Sequence, residues 1–314
     1  MALETLTISD ATNGARAKIL PGIGFNCYSF EAATSGGPLE LLWTAPDFLA
    51  GTGRPSGSGI PLLFPFAGRL RGTSFRFKGR TYHLEAGDGQ GNAIHGFVLN
   101  RPWRVTHHAG NRATAQFQGS VDDAKLLEHW PADFRITADY QVAGNSLITD
   151  YTIENPDSKP LPFGFGTHAY FRIPLGGADG AQCRVTVPVE HSWELEGLLP
   201  TGRKTSPKVV AELSHGMAAG TMKLDHVFSG LKFDNHRCST TIHDPDSKST
   251  MTQTFDDQFV SCVVYNPPHR EALCMEPYTT IPDPFTLGEK EIETNLRILA
   301  PGQTFRTRIE IRLD

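Results

Sequence analysis

Apolar and polar residues alternate with a period of two along much of this chain, the pattern of strands with one buried face. Phe305, Thr307, Ile309, Ile311 and Leu313 alternate with Arg306, Arg308, Glu310 and Arg312. Phe75 and Phe77 precede Lys78-Gly79, and Tyr82 and Leu84 follow, which predicts a hairpin. Phe134 to Val142 alternates up to Gly144-Asn145, and Leu147 to Ile153 alternates back, predicting a second. Val185 to Val189 and Phe259 to Tyr265 read as further strands, and Thr241 to Thr254 as a hairpin around Asp244-Pro245-Asp246. Helical signals are few. The best is Asp122 to Trp130, where Leu126, Leu127 and Trp130 share a face behind an acidic first turn. Gly51 to Gly59 is a Gly/Ser/Pro-rich loop. The expectation is an all-β protein, a large antiparallel sandwich or barrel, because a βαβ enzyme needs a regular supply of helices.

Composition narrows this picture. The 31 glycines and 22 prolines among 314 residues exceed ordinary usage and imply many turns between short elements. No linker divides the chain, so residues 1–314 are expected to form one domain. A formal charge of -5 supplies no basic excess for nucleic acid. No apolar run reaches the ~18 residues of a membrane span, and the first residues lack a basic-then-apolar leader. Cys27, Cys183, Cys238, Cys262 and Cys274 are odd in number and form no Cys-x-x-Cys pair, so reduced thiols and a cytoplasmic location are expected. The oligomeric state is not legible.

Several candidate motifs fail. Gly87-Asp-Gly89-Gln-Gly91 is not Gly-x-Gly-x-x-Gly, and no helix follows it. Ser58 lacks the glycine of a nucleophile elbow. His107 and His108 are adjacent, so on a strand they point opposite ways and suit a solvated surface better than a metal. No metal spacing is present, and no metal or cofactor is expected.

Four segments survive. They are Pro61 to Gly72 with Arg69, Gly91 to Phe97 with His95, Phe163 to Phe171 with His168, and Cys274 to Phe285 with Glu276. Taken singly, each has a structural reading: His95 or His168 as a core histidine, Glu276 as half of an ion pair with Arg69, the aromatics as core. Gathered in one cleft, two histidines, an arginine and a carboxylate among aromatics would suit a sugar, whose apolar faces stack and whose hydroxyls hydrogen-bond.

Together and in this order, these segments resemble the aldose 1-epimerases, the galactose mutarotase-like proteins. The resemblance implies a β-sandwich of the supersandwich type with a small-molecule sugar in an open cleft, and anomer exchange without a cofactor. It implies Glu276 as general base, His168 in Thr-His-Ala-Tyr-Phe as general acid, and His95 in His-Gly-Phe and Arg69 in Gly-Arg-Leu as sugar contacts. It also implies Asp225 in Leu-Asp-His-Val-Phe as a sugar contact; alone, Asp225 would read as a surface acid. Tyr170, Phe97 or Trp103 could stack on the ring. The chain departs from the family pattern at Gly68 and Thr167, where many members carry Asn. His-Gly-Phe followed by Arg101-Pro-Trp103 resembles a bacterial branch that shares features with hexose-6-phosphate epimerases, for which Arg71, Arg76, Arg101 or Arg104 could supply phosphate contacts. A sugar-binding protein without catalysis is the remaining alternative.

Overall fold

A computed structural model of the chain describes residues 3–314. Two large sheets dominate it, and the expected antiparallel all-β sandwich is what forms. The larger has nine strands in the order Arg104–Ala109, Arg112–Gln118, Arg135–Ala143, Ser146–Glu154, Thr304–Leu313, Thr250–Asp256, Arg237–His243, Arg184–Thr186 and Met217–Ala218. The other has eight. Its path runs Leu199–Thr205, His191–Glu196, Asp225–Ser229, Ser261–Tyr265, Ala272–Tyr278, Gly166–Thr167 and Leu62–Leu63, with Tyr170–Arg172 also paired to Ala272–Tyr278. A four-stranded sheet, Leu6–Ser9 to Gly37–Glu40, adds apolar residues to the same core.

The alternating segments behave as their pattern requires. Arg135–Ala143 and Ser146–Glu154 pair in unbroken register from Arg135↔Glu154 to Ala143↔Ser146. Thr304–Leu313 lies between Ser146–Glu154 and Thr250–Asp256 and buries Phe305, Ile309, Ile311 and Leu313. The hairpins at Ser74–Phe77/Arg80–His83 and Arg237–His243/Thr250–Asp256 form as expected. Only Arg184–Thr186 of the Val185 to Val189 segment is strand. The single helix expected over Asp122 to Trp130 is replaced by two short turns, Gly119–Asp122 and Leu126–His129. Asp122 instead accepts a bond from the Gln118 amide and pairs with Arg104, tying off the first turn. His107 and His108 lie on an exposed strand, as a solvated pair should. All five cysteines are free and buried.

What positions a site is the eight-stranded sheet. Its inward residues Phe228, Cys262, Val264, Leu273 and Met275 join the main core. Buried Gln253 of the nine-stranded sheet donates to the Met275 carbonyl at 3.1 Å, so the two sheets touch through a polar bond as well as apolar packing. With a side-chain period of two, the alternate residues of the same three strands must face the other way. Those residues are Asp225 and Val227, Val263 and Tyr265, and Glu276 and Tyr278, and they line one cleft. A one-residue slip of Ala272–Tyr278 would carry Glu276 into the apolar core.

Candidate active site

The cleft is open, with about 710 Å³ of empty space that includes its solvent-filled mouth. Arg69, His95, His168, Asp225 and Glu276 all line it. The structure therefore brings together these five residues, named from the sequence, from five separated segments. Tyr170 also lines it; Phe97 does not, and Trp103 is a core residue stacked on Phe25 with its indole N–H donated to the Val98 carbonyl.

Glu276 is only 1% exposed. Its register partner is Val263, and the hydroxyl of Tyr278, two residues on and on the same strand face, donates to Oε2 at 2.5 Å. Oε1 lies 3.4 Å from His168 Nε2. The glycines of Phe163-Gly-Phe-Gly-Thr make room for this arrangement. A Cβ on Gly166 would stand 2.3 Å from the Tyr278 ring, so only glycine lets the tyrosine lie flat over this strand and reach the carboxylate.

His168 stacks on Tyr170 at 4.9 Å and 9°, and meets His95 edge to face at 5.3 Å. The Nδ1 atoms of both histidines are buried without a hydrogen-bond partner among the described residues. Buried polar atoms are seldom left so, and their presence in a cleft is a mark of a ligand site.

Arg69 is held by Asp88, whose carboxylate meets its Nε at 3.2 Å. Burial pushes Asp88 up, but hydrogen bonds from Asn92 and Gln90 and the charge of Arg69 outweigh it and hold the group at about 2. The glycine-rich Gly87 to Gly91 segment, which fails as a nucleotide motif, thus serves as the loop that presents this carboxylate. The structural ion pair between Arg69 and Glu276 is not made. Gly68 explains one departure from the family pattern: its φ is +72°, and a Cβ there would stand 2.9 Å from Pro282. The Asp283 amide then bonds the Arg69 carbonyl at 2.9 Å, fixing the strand beside the cleft.

Burial sets the electrostatics of the cleft floor. Burial pushes Glu276 well above the usual carboxylate range, against the Tyr278 bond, which lowers it. Burial also drives His168 down to about 3, with the positive charges of Arg54 and Arg69 acting in the same direction. His95 is held well below its ordinary value, first by burial and then by His168, Arg69 and Arg54. Asp225 is raised by burial. Both members of the Glu276–His168 pair thus favour the uncharged form, and the pair holds one proton between them. The donor atoms of His168, Cys274 and Glu276 also lie within 4.8 Å of one another, a set that could hold a borderline cation such as Zn²⁺. Burial keeps the Cys274 thiol protonated and opposes this.

Sequence reasoning missed three contributors. Arg54 comes from the Gly51 to Gly59 loop, which carries no pattern, and its exposed side chain stands at the cleft. Tyr265 faces in because it alternates with Val264. Tyr278 was legible: it stands two residues from Glu276. The arginines considered for phosphate are largely engaged elsewhere: Arg71 with Asp283, Arg101 with Asp123 and Arg104 with Asp122. None of these, nor Arg76, lines this cleft.

The family model described as aldose 1-epimerase matches residues 5–312. The chain belongs to the aldose 1-epimerase family. Its fold is that of solved members and relatives. A galactose mutarotase-like protein from Clostridium acetobutylicum superposes with a TM-score of 0.86 at 22% identity, covering 100% of this chain and 99% of that one. An aldose epimerase homologue from C. elegans gives 0.79 at 18% identity, covering 100% and 99%. A galactose 1-epimerase from Lactobacillus acidophilus gives 0.74 at 16%, again covering 100% and 99%. In sequence, the uncharacterized protein YphB of Escherichia coli K12 is 27% identical over 153 residues, 46% of this chain and 48% of that protein. The matched stretch thus spans about half the length of that curated relative. No helix among the described residues is long and apolar enough to cross a membrane.

Proposed function

We propose that this chain is an aldose 1-epimerase that interconverts the α and β anomers of a free hexose such as glucose or galactose. The observation that carries the reading is the 3.4 Å contact between His168 Nε2 and Glu276 Oε1 at the buried floor of an open cleft. Two proton-transfer groups this close can serve two oxygens bonded to one carbon, which is the geometry of an anomeric centre.

Ring opening removes the proton from the O1 hydroxyl, breaks the C1–O5 bond and places a proton on O5. Glu276 takes the first proton and His168 delivers the second. Rotation about C1–C2 turns the aldehyde over, and closure runs the same transfers backwards on its other face. The total charge of the pair never changes: carboxylate and imidazolium become carboxylic acid and imidazole. That constancy matters in a buried site, where a step that created net charge would pay full desolvation. Without sugar the pair rests in the form reached after opening. A bound O1 hydroxyl hydrogen-bonded to Glu276 favours the carboxylate and sends the proton to His168. Arg69, His95 and Asp225 orient the hydroxyls, and Arg69 adds positive charge near the developing oxyanion.

The test is polarimetry on freshly dissolved α-D-glucose and α-D-galactose, with wild type and Glu276→Gln. Wild type should speed mutarotation, and the variant should lose nearly all of it while still binding sugar. Equal rates in the two proteins would sink the assignment. Acceleration of glucose 6-phosphate alone would move the substrate to the phosphorylated sugars, and sugar binding with no acceleration would make the chain a binding protein.

A further inference from the structure

A second cavity, with about 1300 Å³ of empty space, adjoins the cleft. Arg54, Ser56, Ile94 and His95 line both. We propose that the second cavity is a subsite for a further sugar unit, so that the preferred substrate is the reducing end of a short oligosaccharide. This rests on the mutarotase reading of the cleft.

The border between the cavities is built for a ligand rather than left by packing. His95 is 8% exposed, its Nδ1 has no partner among the described residues, and its backbone has φ +65°. A non-glycine residue in that conformation is uncommon, and such conformations concentrate at functional sites. The amide bond from His95 to the Gly68 carbonyl at 2.9 Å fixes it there. A side chain held this way can meet a hydroxyl of the sugar in the cleft while its other side borders the neighbouring space.

The walls of the second cavity match a sugar better than an anion. Phe97 is half-buried and locked edge to face against Phe66 at 5.9 Å and Trp130 at 5.8 Å, so its ring is a fixed apolar surface. Leu99 continues that surface. Around it stand Asn100, Glu85 and Lys125, hydrogen-bonding groups of both charges, while the Arg101 guanidinium is already neutralised by Asp123 at 2.8 Å. An apolar plane with mixed donors and acceptors at its edge is the chemistry that holds a pyranose. A phosphate would meet the Glu85 carboxylate.

Chemistry fixes how the extra unit is attached. The anomeric hydroxyl must stay free to reach Glu276, so the second sugar is joined through another hydroxyl of the reducing sugar.

Polarimetry decides this with glucose, glucose 6-phosphate, and maltose, lactose and melibiose, three disaccharides whose reducing sugar is glucose. At least one disaccharide should exceed glucose in kcat/KM by about tenfold, the worth of one well-made stacking contact. Ala86 is exposed at this cavity, so Ala86→Trp fills it without disturbing the core and should bring the disaccharide-to-glucose ratio back toward one. Disaccharides no better than glucose, a ratio unmoved by Ala86→Trp, or a larger gain from the 6-phosphate than from any disaccharide would each overturn the subsite. If glucose is accelerated and disaccharides are not, the subsite falls and the epimerase reading stands. If none of these sugars nor free galactose is accelerated, the epimerase reading fails and takes the subsite with it.

Discussion

The outward faces of the two large sheets follow one rule of alternation and meet opposite fates. On the nine-stranded sheet the outward positions reach water, and their charges pair across neighbouring strands: Arg112 with Asp139, Arg135 with Glu154, Arg308 with Asp150. On the eight-stranded sheet the outward positions of Ala272–Tyr278 are as buried as the inward ones, because loops carrying Arg54, Gly68 and His95 close over them. A charge on the first face is solvated and changes little. A charge on the second is desolvated, and its proton becomes available for chemistry. Polar residues in strands are thus solvated in one sheet and desolvated in a cleft in the other, and the covering distinguishes them.

The sharpest way to break this contrast is to neutralise one carboxylate on each face. Glu276→Gln should lower kcat by about 10²–10⁴-fold, the contribution of one positioned proton transfer, whereas Asp150→Asn should leave mutarotation unchanged. Equal effects would show that the cleft face is no more than a buried surface.

Packing beneath the cleft gives the next largest effect. Gly166→Ala places a methyl 2.3 Å from the Tyr278 ring and should destabilise the fold by about 1–3 kcal/mol as the ring is displaced. Because that ring carries the hydroxyl bonded to Glu276, kcat should fall with it. Denaturant titration and steady-state polarimetry read the two separately, and a stability loss with unchanged kcat would show that Tyr278 does not position the carboxylate.

The pH dependence sharpens the comparison further. With Glu276 raised and His168 lowered to about 3, the one-proton form of the pair spans a wide range. Therefore kcat/KM should be flat from about pH 5 through neutrality. A limb near 6.5 would assign the acid role to a less buried histidine. For stability the sign is definite: His168 is neutral in the fold but takes a proton at its ordinary 6.5 when unfolded. Stability is therefore lost as pH falls from 6.5 toward 3. His168→Asn should flatten part of that loss in thermal melts run across this range.

The smallest effect is expected on the solvated face. Removing the half-exposed Arg308–Asp150 pair should change stability by less than about 1 kcal/mol, and less still in high salt. A larger change would mean that the ladder on the nine-stranded sheet acts as a connected network.

The difference between the faces also marks what could be read in advance. Phe305 to Leu313 and the two halves of the Gly144-Asn145 hairpin announce themselves, because water on one side enforces strict alternation. Ala272–Tyr278 carries no such signal, since both of its faces are buried. Glu276 stood out there only as a carboxylate among Cys, Met, Pro and Tyr. Arg69, His95 and His168 were found through short motifs whose roles came from resemblance. Arg54 lay in a loop without pattern, and Asp88 in a glycine-rich segment that looked like a failed nucleotide site. The expected Asp122 to Trp130 helix broke because Asp122 is used by Gln118 and Arg104, contacts made by neighbouring segments.

The sequence by itself determined the strands with one wet face, the hairpins that join them and the antiparallel class, because period and turn chemistry act over a few residues. With the family resemblance it also named Arg69, His95, His168, Asp225 and Glu276, but not Arg54 or Tyr265, which line the same cleft. Tertiary structure alone decided that Glu276 and His168 meet at 3.4 Å on a buried floor, that Asp88 holds Arg69, and that a second cavity adjoins the first. Those facts depend on desolvation and on contacts between residues as much as 108 positions apart (His168 to Glu276). No local pattern encodes either.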